Sequence, residues 1–145
     1  MSTSQIHALS HDRCRALLAS VPLGRVAFVR DGRPVIRPVN FTFTGNAVWL
    51  RSARNSWADR IGGQAVTFEA DAYDAGDHTG WSVIVTGVAT LVTDVDTVAA
   101  QFGPGLRSWA PPPRDRLLRI SLDRIDGRRI ALRPDATDAT ESGLL

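Results

Sequence analysis

Two turn dipeptides constrain the middle of this chain more than anything else in it. Asp31-Gly32 and Gly45-Asn46 lie within G-R-V-A-F-V-R-D-G-R-P-V-I-R-P-V-N-F-T-F-T-G-N-A-V-W-L-R-S, from Gly24 to Ser52. Each is a two-residue hairpin signal flanked by alternating apolar and polar residues. Three antiparallel strands are predicted, over about 25–30, 33–44 and 47–52. If Gly45-Asn46 is the whole second loop, Thr44 faces Ala47, Phe43 faces Val48, Thr42 faces Trp49, Phe41 faces Leu50 and Asn40 faces Arg51. Side chains alternate across a strand, so Phe41, Phe43, Val48 and Leu50 share one apolar face and read as core. Asn40, Thr42, Trp49 and Arg51 share the other. That amide, hydroxyl, indole and guanidinium suit a polar ligand with an aromatic part, or equally a face turned to water or to a partner subunit.

On either side of this meander the pattern is coarser. Residues 1–9 read as a mobile N-terminus. Ser10 can cap a short helix with Asp12 in its first turn and Cys14, Leu17, Leu18 and Val21 as its apolar stripe. A-R-N-S-W-A-D-R-I-G-G reads as a second short helix, capped by Asn55 or Ser56 and stopped by Gly62-Gly63. Residues 64–71 alternate as a fourth strand. A polar loop over 73–80 leads into W-S-V-I-V-T-G-V-A-T-L-V-T, a long fifth strand whose middle is apolar on both faces. Gly87 inside it predicts a bulge or bend of the kind that closes a barrel. A helix from Asp94 and a Gly/Pro-rich loop over 103–113 follow. A sixth strand is predicted at 116–122, and a seventh at 128–132 after Gly127. Residues 133–145 are small and polar and read as a disordered tail. Many strands with helices only at the margins predict a small antiparallel barrel.

The chain has 145 residues, 43% hydrophobic and 22% charged, which is enough for one domain with a real core. No apolar run reaches membrane-spanning length, and the N-terminus lacks a signal-peptide pattern. The single cysteine, Cys14, permits no internal disulfide, so a cytoplasmic location is expected. All 17 basic residues are arginine, against 15 acidic ones, for a net charge of +2. The arginines are scattered among acids, which does not favour a nucleic-acid stripe. With no lysine, no side chain can form a Schiff base.

Familiar motifs fail on their particulars. Gly80-Trp81-Ser82-Val83-Ile84 lacks the second glycine of a nucleophile elbow and leads into a strand. Gly103-Pro104-Gly105 lacks the third glycine of a dinucleotide fingerprint. His7 and His11 have i, i+4 spacing but no third ligand, and His78 stands beside Asp74 and Asp77 in a polar loop, so no metal site is predicted.

What holds is an ordered set of segments: L-G-R-V-A-F, G-R-P-V-I-R-P-V-N-F, V-W-L-R-S, V-T-F-E-A-D and G-W-S-V-I-V-T-G-V-A. Together they resemble the pyridoxamine 5′-phosphate oxidase-like flavin-binding split-barrel family, in its small actinobacterial-type branch, over residues 10–132. The resemblance implies a mainly β fold, a six-stranded antiparallel split barrel with short peripheral helices. It also implies a homodimer with two cofactor sites at its interface. The usual ligand is FMN; some relatives use the deazaflavin F420 and a few bind haem. In similar proteins the strand matching Pro38-Val39-Asn40-Phe41 runs beside the flavin ring. The strand matching Trp49 to Ser52 gives the phosphate an arginine and a hydroxyl, here Arg51 and Ser52. Where relatives carry a lysine after this strand, the present chain reads R-N-S-W. Arg54 can replace the charge, Ser56 and its neighbours can donate N–H groups, and Trp57 is either a ligand contact or a core anchor. The segment G-W-S-V, with Trp81, and the loop carrying Arg107 and Trp109 are implied to approach the ring, or else to pack the dimer.

The resulting expectation is an FMN-dependent oxidoreductase acting on a small molecule, with the chemistry carried by the flavin. No residue declares itself a general acid or base. An F420-dependent reductase and a non-catalytic flavin- or haem-binding dimer are the alternatives, the latter favoured by the missing lysine. Neither a nucleic acid nor a membrane is an expected partner.

Overall fold

The computed structural model describes residues 5–52, 55–93 and 116–131. Its elements in order are β1 (Gln5–Ala8), α1 (His11–Leu18), β2 (Leu23–Arg30), β3 (Arg33–Thr44), β4 (Ala47–Ser52), a 3₁₀ turn (Trp57–Arg60), β5 (Ala65–Asp74), β6 (Thr79–Val92), β7 (Arg116–Ser121) and β8 (Arg124–Ala131). The helix predicted from Asp94, the loop over 103–113, Arg54 and the tail from 133 lie outside the described residues.

Both hairpin turns form where the dipeptides stand. Asp31 and Gly32 have φ of 53° and 74°, as a type I′ turn requires, whereas Gly45 alone is positive (63°), the type II′ pattern. The second loop therefore sets the predicted register: Phe41 with Leu50, Thr42 with Trp49, Phe43 with Val48 and Thr44 with Ala47. The ladder ends there. Asn40 pairs with Leu23 of β2, so β3 hands over from β2 to β4 between Asn40 and Phe41.

Strands β6-β5-β2-β3-β4-β7 close into a six-stranded antiparallel barrel through the pairing of β6 with β7. β8, with β1 beyond it, extends the sheet from the first half of β6. The residues read as a mobile N-terminus thus include an edge strand, because Gln5–Ala8 find partners in Arg128–Ala131. β6 pairs with β8 up to Thr86 and with β7 from Ala89. Gly87 sits at this division. It stays in register opposite Val66, so the ladder with β5 carries no bulge there. Its lack of a side chain serves close approach instead: a Cβ would lie 1.8 Å from the Ser121 carbonyl oxygen. Val88 N–H donates to Ser121 Oγ (2.9 Å) and Asp123 N–H to the Thr86 carbonyl (3.1 Å), which pins the β7–β8 turn against β6.

The core fills the barrel with Val26, Phe28, Phe41, Val48, Leu50, Phe68, Val83, Val85, Leu118 and Ile120, and Phe41 meets Phe68 edge to face at 4.7 Å. α1 is capped by Ser10 Oγ, which accepts from Arg13 N–H at 3.2 Å, and buries Cys14 and Leu18. Cys14 Sγ sits against Gly127, where a Cβ would meet the sulfur at 2.4 Å. Gly127 therefore lies inside β8 rather than before it. Burial, with Asp126 nearby, raises the Cys14 thiol pKa, in keeping with an inert packing role. Of the second predicted helix only one 3₁₀ turn forms, since Gly62 and Gly63 follow at once. The hairpin between β5 and β6 is longer than predicted, with Asp74 paired to Thr79. None of the described helices is long and apolar enough to cross a membrane.

Because the Ser121 carbonyl is a backbone group that cannot step aside, Gly87→Ala should lower unfolding free energy by about 3 kcal/mol. Urea denaturation of the variant against the parent checks this.

Candidate functional site

The handover of β3 leaves an open edge. Backbone groups alternate sides along a strand, and Phe41 N–H donates to the Pro22 carbonyl on the β2 side (3.0 Å). Even-numbered residues from 34 to 40 therefore point their backbone groups away from β2, and β4 reaches only to Phe41. Pro34 and Pro38 have no N–H, so this edge offers the donors of Ile36 and Asn40 and the carbonyls of Pro34, Ile36 and Pro38. Pro38 and Asn40 are exposed, Val39 is half-buried, and Phe41 is in the core. A planar ring with acceptors and donors on its rim matches such an edge.

At the end of β4, Arg51 is half-buried and Ser52 is 6% exposed. Ser52 shares the face of Val48 and Leu50, and Arg51 that of Trp49. Two buried hydroxyls here, Ser52 Oγ and Ser56 Oγ, have no hydrogen-bond partner among the described residues. Ser56 occupies the N-cap of the 3₁₀ turn without capping it. A buried hydroxyl left unsatisfied costs roughly 1–3 kcal/mol, so two on one connection fit a site for a polar ligand group. Asn55, with φ of 59°, turns the chain at this point and donates its N–H to Asp59 Oδ2 (2.8 Å).

Trp57 is the core anchor of this turn. Its ring stacks on Phe28 with centroids 5.5 Å apart and planes 8° from parallel. Trp49 departs from the polar face on which alternation placed it. Its indole is 5% exposed, packed with Ala47, Leu117 and Val92, and its N–H reaches the Thr44 carbonyl at 3.4 Å. The Arg119 guanidinium lies 5.9 Å from the ring centroid. β7 and the end of β6 supply this second apolar layer, which the hairpin sequence could not reveal. Trp81 stands apart from Arg51 and Ser52 within one chain. It lies at the start of β6, far along that strand from the pairing with β7. Arg54, Arg107 and Trp109 are outside the described residues. His7 and His11 fall on a strand and a helix respectively, so their helical spacing brings no shared face.

A second constellation escaped the sequence reading. On the outer face of the barrel Arg25 bonds Glu69 at 2.7 Å and Asp71 at 3.1 Å, and Ser82 Oγ donates to Glu69 at 3.1 Å. Alternation put both acids on one side of β5, but only the β2–β5 register, Arg25 opposite Glu69, shows what they meet. Around this cluster Leu23, Val29, Ile36, Ile84 and Val88 are exposed. Burial and the neighbouring Asp71 raise the Glu69 carboxyl pKa, outweighing the Arg25 and Ser82 hydrogen bonds that pull it down. Its ionisation therefore opposes folding. Glu69 contributes stability that is fully present below its unfolded pKa and is lost as pH rises through the raised folded value. Stability measured by denaturant melts should fall over the pH range just above the ordinary carboxylate value, and Glu69→Gln should flatten that slope.

Residues 10–129 match the family model described as pyridoxamine 5′-phosphate oxidase. The uncharacterized protein Rv0080 of Mycobacterium tuberculosis is 38% identical over 135 residues, covering 89% of this chain and 88% of that protein. Among solved structures, the FAD binding protein from Mycobacterium smegmatis is 32% identical, with a TM-score of 0.67 over 86% of this chain and 98% of that one. The FAD and heme binding protein from the same organism is 21% identical, with a TM-score of 0.65 over 92% and 78% of the two chains. That last likeness is one of fold.

Proposed function

The chain belongs to the pyridoxamine 5′-phosphate oxidase family, and on that footing we propose that it binds a phosphorylated flavin, FMN in its simplest form, and serves as an oxidoreductase for a small molecule. The observation that carries the reading is the pair of buried hydroxyls, Ser52 Oγ and Ser56 Oγ, left without partners among the described residues on the connection that follows Arg51. These residues fit a phosphate: the guanidinium gives charge-assisted bonds and the hydroxyls fill remaining lone pairs. Arg51 corresponds to the strand arginine of similar proteins, the further charge that a lysine supplies there falls to Arg54, and Trp57, stacked on Phe28, holds the turn in place. The open edge of β3 offers the Ile36 and Asn40 N–H groups and the Pro38 carbonyl to the rim of the ring. When bound, the flavin supplies hydride or electron transfer, while the protein orients it and tunes its surroundings. The FAD-binding relative at 32% identity supports a flavin and makes FAD the nearest competitor to FMN.

We further propose that two copies pair through the outer barrel face, where Leu23, Ile36, Ile84 and Val88 surround the Arg25–Glu69 pair. Clustered exposed apolar side chains of this kind mark an interaction surface, and the Arg25–Glu69 pair, already matched within one chain, can be covered without leaving a charge unpaired.

Fluorescence titration of FMN, FAD and riboflavin tests the site. Arg51→Ala should weaken FMN by at least about tenfold and leave riboflavin nearly unchanged, the scale of a lost charged hydrogen bond. Ser52→Ala should weaken FMN several-fold with no loss of thermal stability, since it removes an unsatisfied buried hydroxyl. Equal loss of FMN and riboflavin, or quenching of F420 or a haem Soret band in place of flavin binding, would overturn the proposal. For the pairing, Ile36→Glu should convert a dimer to a monomer in size-exclusion chromatography with light scattering.

A further inference from the structure

We propose that a cavity between α1 and the β5–β6 hairpin binds a small aromatic carboxylate, at a site separate from the flavin. The cavity measures about 320 Å³, at the small end of ligand pockets, which suits a single-ring molecule. The fold makes it in a definite way. On the inner face of the sheet, Gly127 of β8 lies beside Val83 of β6, and α1 presses Cys14 onto that glycine. Two residues further along the same strands, Arg129 lies beside Trp81, and the face opens. Side chains two apart on a strand share a face, so Trp81 and Arg129 line the same side as the core but beyond it. Leu9 and Leu17 form the opposite, apolar wall, and Arg13 of α1 stands at its rim.

The chemistry of this lining is selective. Neither the Arg13 nor the Arg129 guanidinium makes a hydrogen bond or ion pair among the described residues. The one carboxylate present, Asp74, is committed to the β5–β6 turn, where Oδ1 accepts from the N–H groups of Gly76 (2.8 Å) and Asp77 (3.2 Å). Two guanidinium forks with an excess of positive charge call for an anion, and a carboxylate matches their planar geometry. Trp81 with Leu9 and Leu17 calls for a flat apolar body on that anion, since an indole stacks on aromatic rings. A free phosphate would satisfy the arginines but leave these walls unused. The site draws on none of the groups assigned to the flavin phosphate.

The test is a titration of ¹⁵N-labelled protein, saturated with FMN, with sodium benzoate, reading the Trp81 indole N–H resonance assigned through Trp81→Phe. A saturable shift of that resonance is expected. The double variant Arg13→Gln/Arg129→Gln, both at exposed positions and checked for folding by its unchanged remaining spectrum, should weaken benzoate at least tenfold. Benzamide, of the same shape without the charge, should bind at least tenfold more weakly than benzoate. An unmoved Trp81 resonance, benzamide binding as well as benzoate, indifference to the arginine variants, or a shift seen only without FMN would each overturn the site. Should FMN itself fail to bind, the same titration still reads the cavity, so the two proposals fail separately.

Discussion

The barrel depends on one close approach, that of the Ser121 carbonyl to the backbone at Gly87. β6 must serve two sheets, giving its first half to β8 and its second to β7. The change of partner works only if the β7–β8 turn lies directly on the strand, and only glycine leaves room for that. Once the turn is pinned by Val88 and Asp123, β7 is placed beside β4, and β4 beside the end of β3. The ring closes as a consequence. The same residues thus determine both the enclosure of the core and the place where β3 runs out of partners on one side.

The proposed ligand site lies where partners run short. Regular pairing satisfies backbone groups, so a ligand that needs backbone donors can find them only where pairing stops. In this chain the open edge of β3 and the end of β4 come from one hairpin, and its second strand ends in Arg51 and Ser52. Buried hydroxyls without partners would count as a flaw in a purely structural segment. In the flavin-binding proposal those at the end of β4 are acceptors and donors held in place ahead of a ligand, at a modest cost in stability.

Much of this fold was legible because two-residue loops leave no freedom of register. Gly45-Asn46 determined four residue pairs, and the apolar alternation then named Phe41, Val48 and Leu50 as core. The short helix was legible for a similar reason, since Ser10 and the stripe through Cys14 and Leu18 are local signals. Features set by distant segments were not. Trp49 looks amphipathic within its hairpin, and only β7 makes it a buried residue. Gly127 resembles a turn glycine until α1 is seen to rest on it. Gln5–Ala8 gains a strand only from β8. The arginine and hydroxyl of the candidate site came from resemblance to a family, whereas the orphaned state of Ser52 and Ser56 arises only in the folded chain. The Arg25–Glu69 pair needed a register between residues 44 apart in sequence, which no local pattern conveys.

The two prolines of β3 have a bearing on what this protein avoids as well as what it holds. An unpaired strand edge is a template on which another chain can add a strand, the first step toward fibrous aggregation. Along the edge from residue 34 to residue 40, Pro34 and Pro38 delete every second outward donor. An incoming peptide would find half of its carbonyls unanswered along that length, whereas a compact heterocycle needs to meet only one or two positions. Proline spacing thus acts as a filter on size, leaving the edge receptive to small molecules and poorly suited to growth by β-polymerisation.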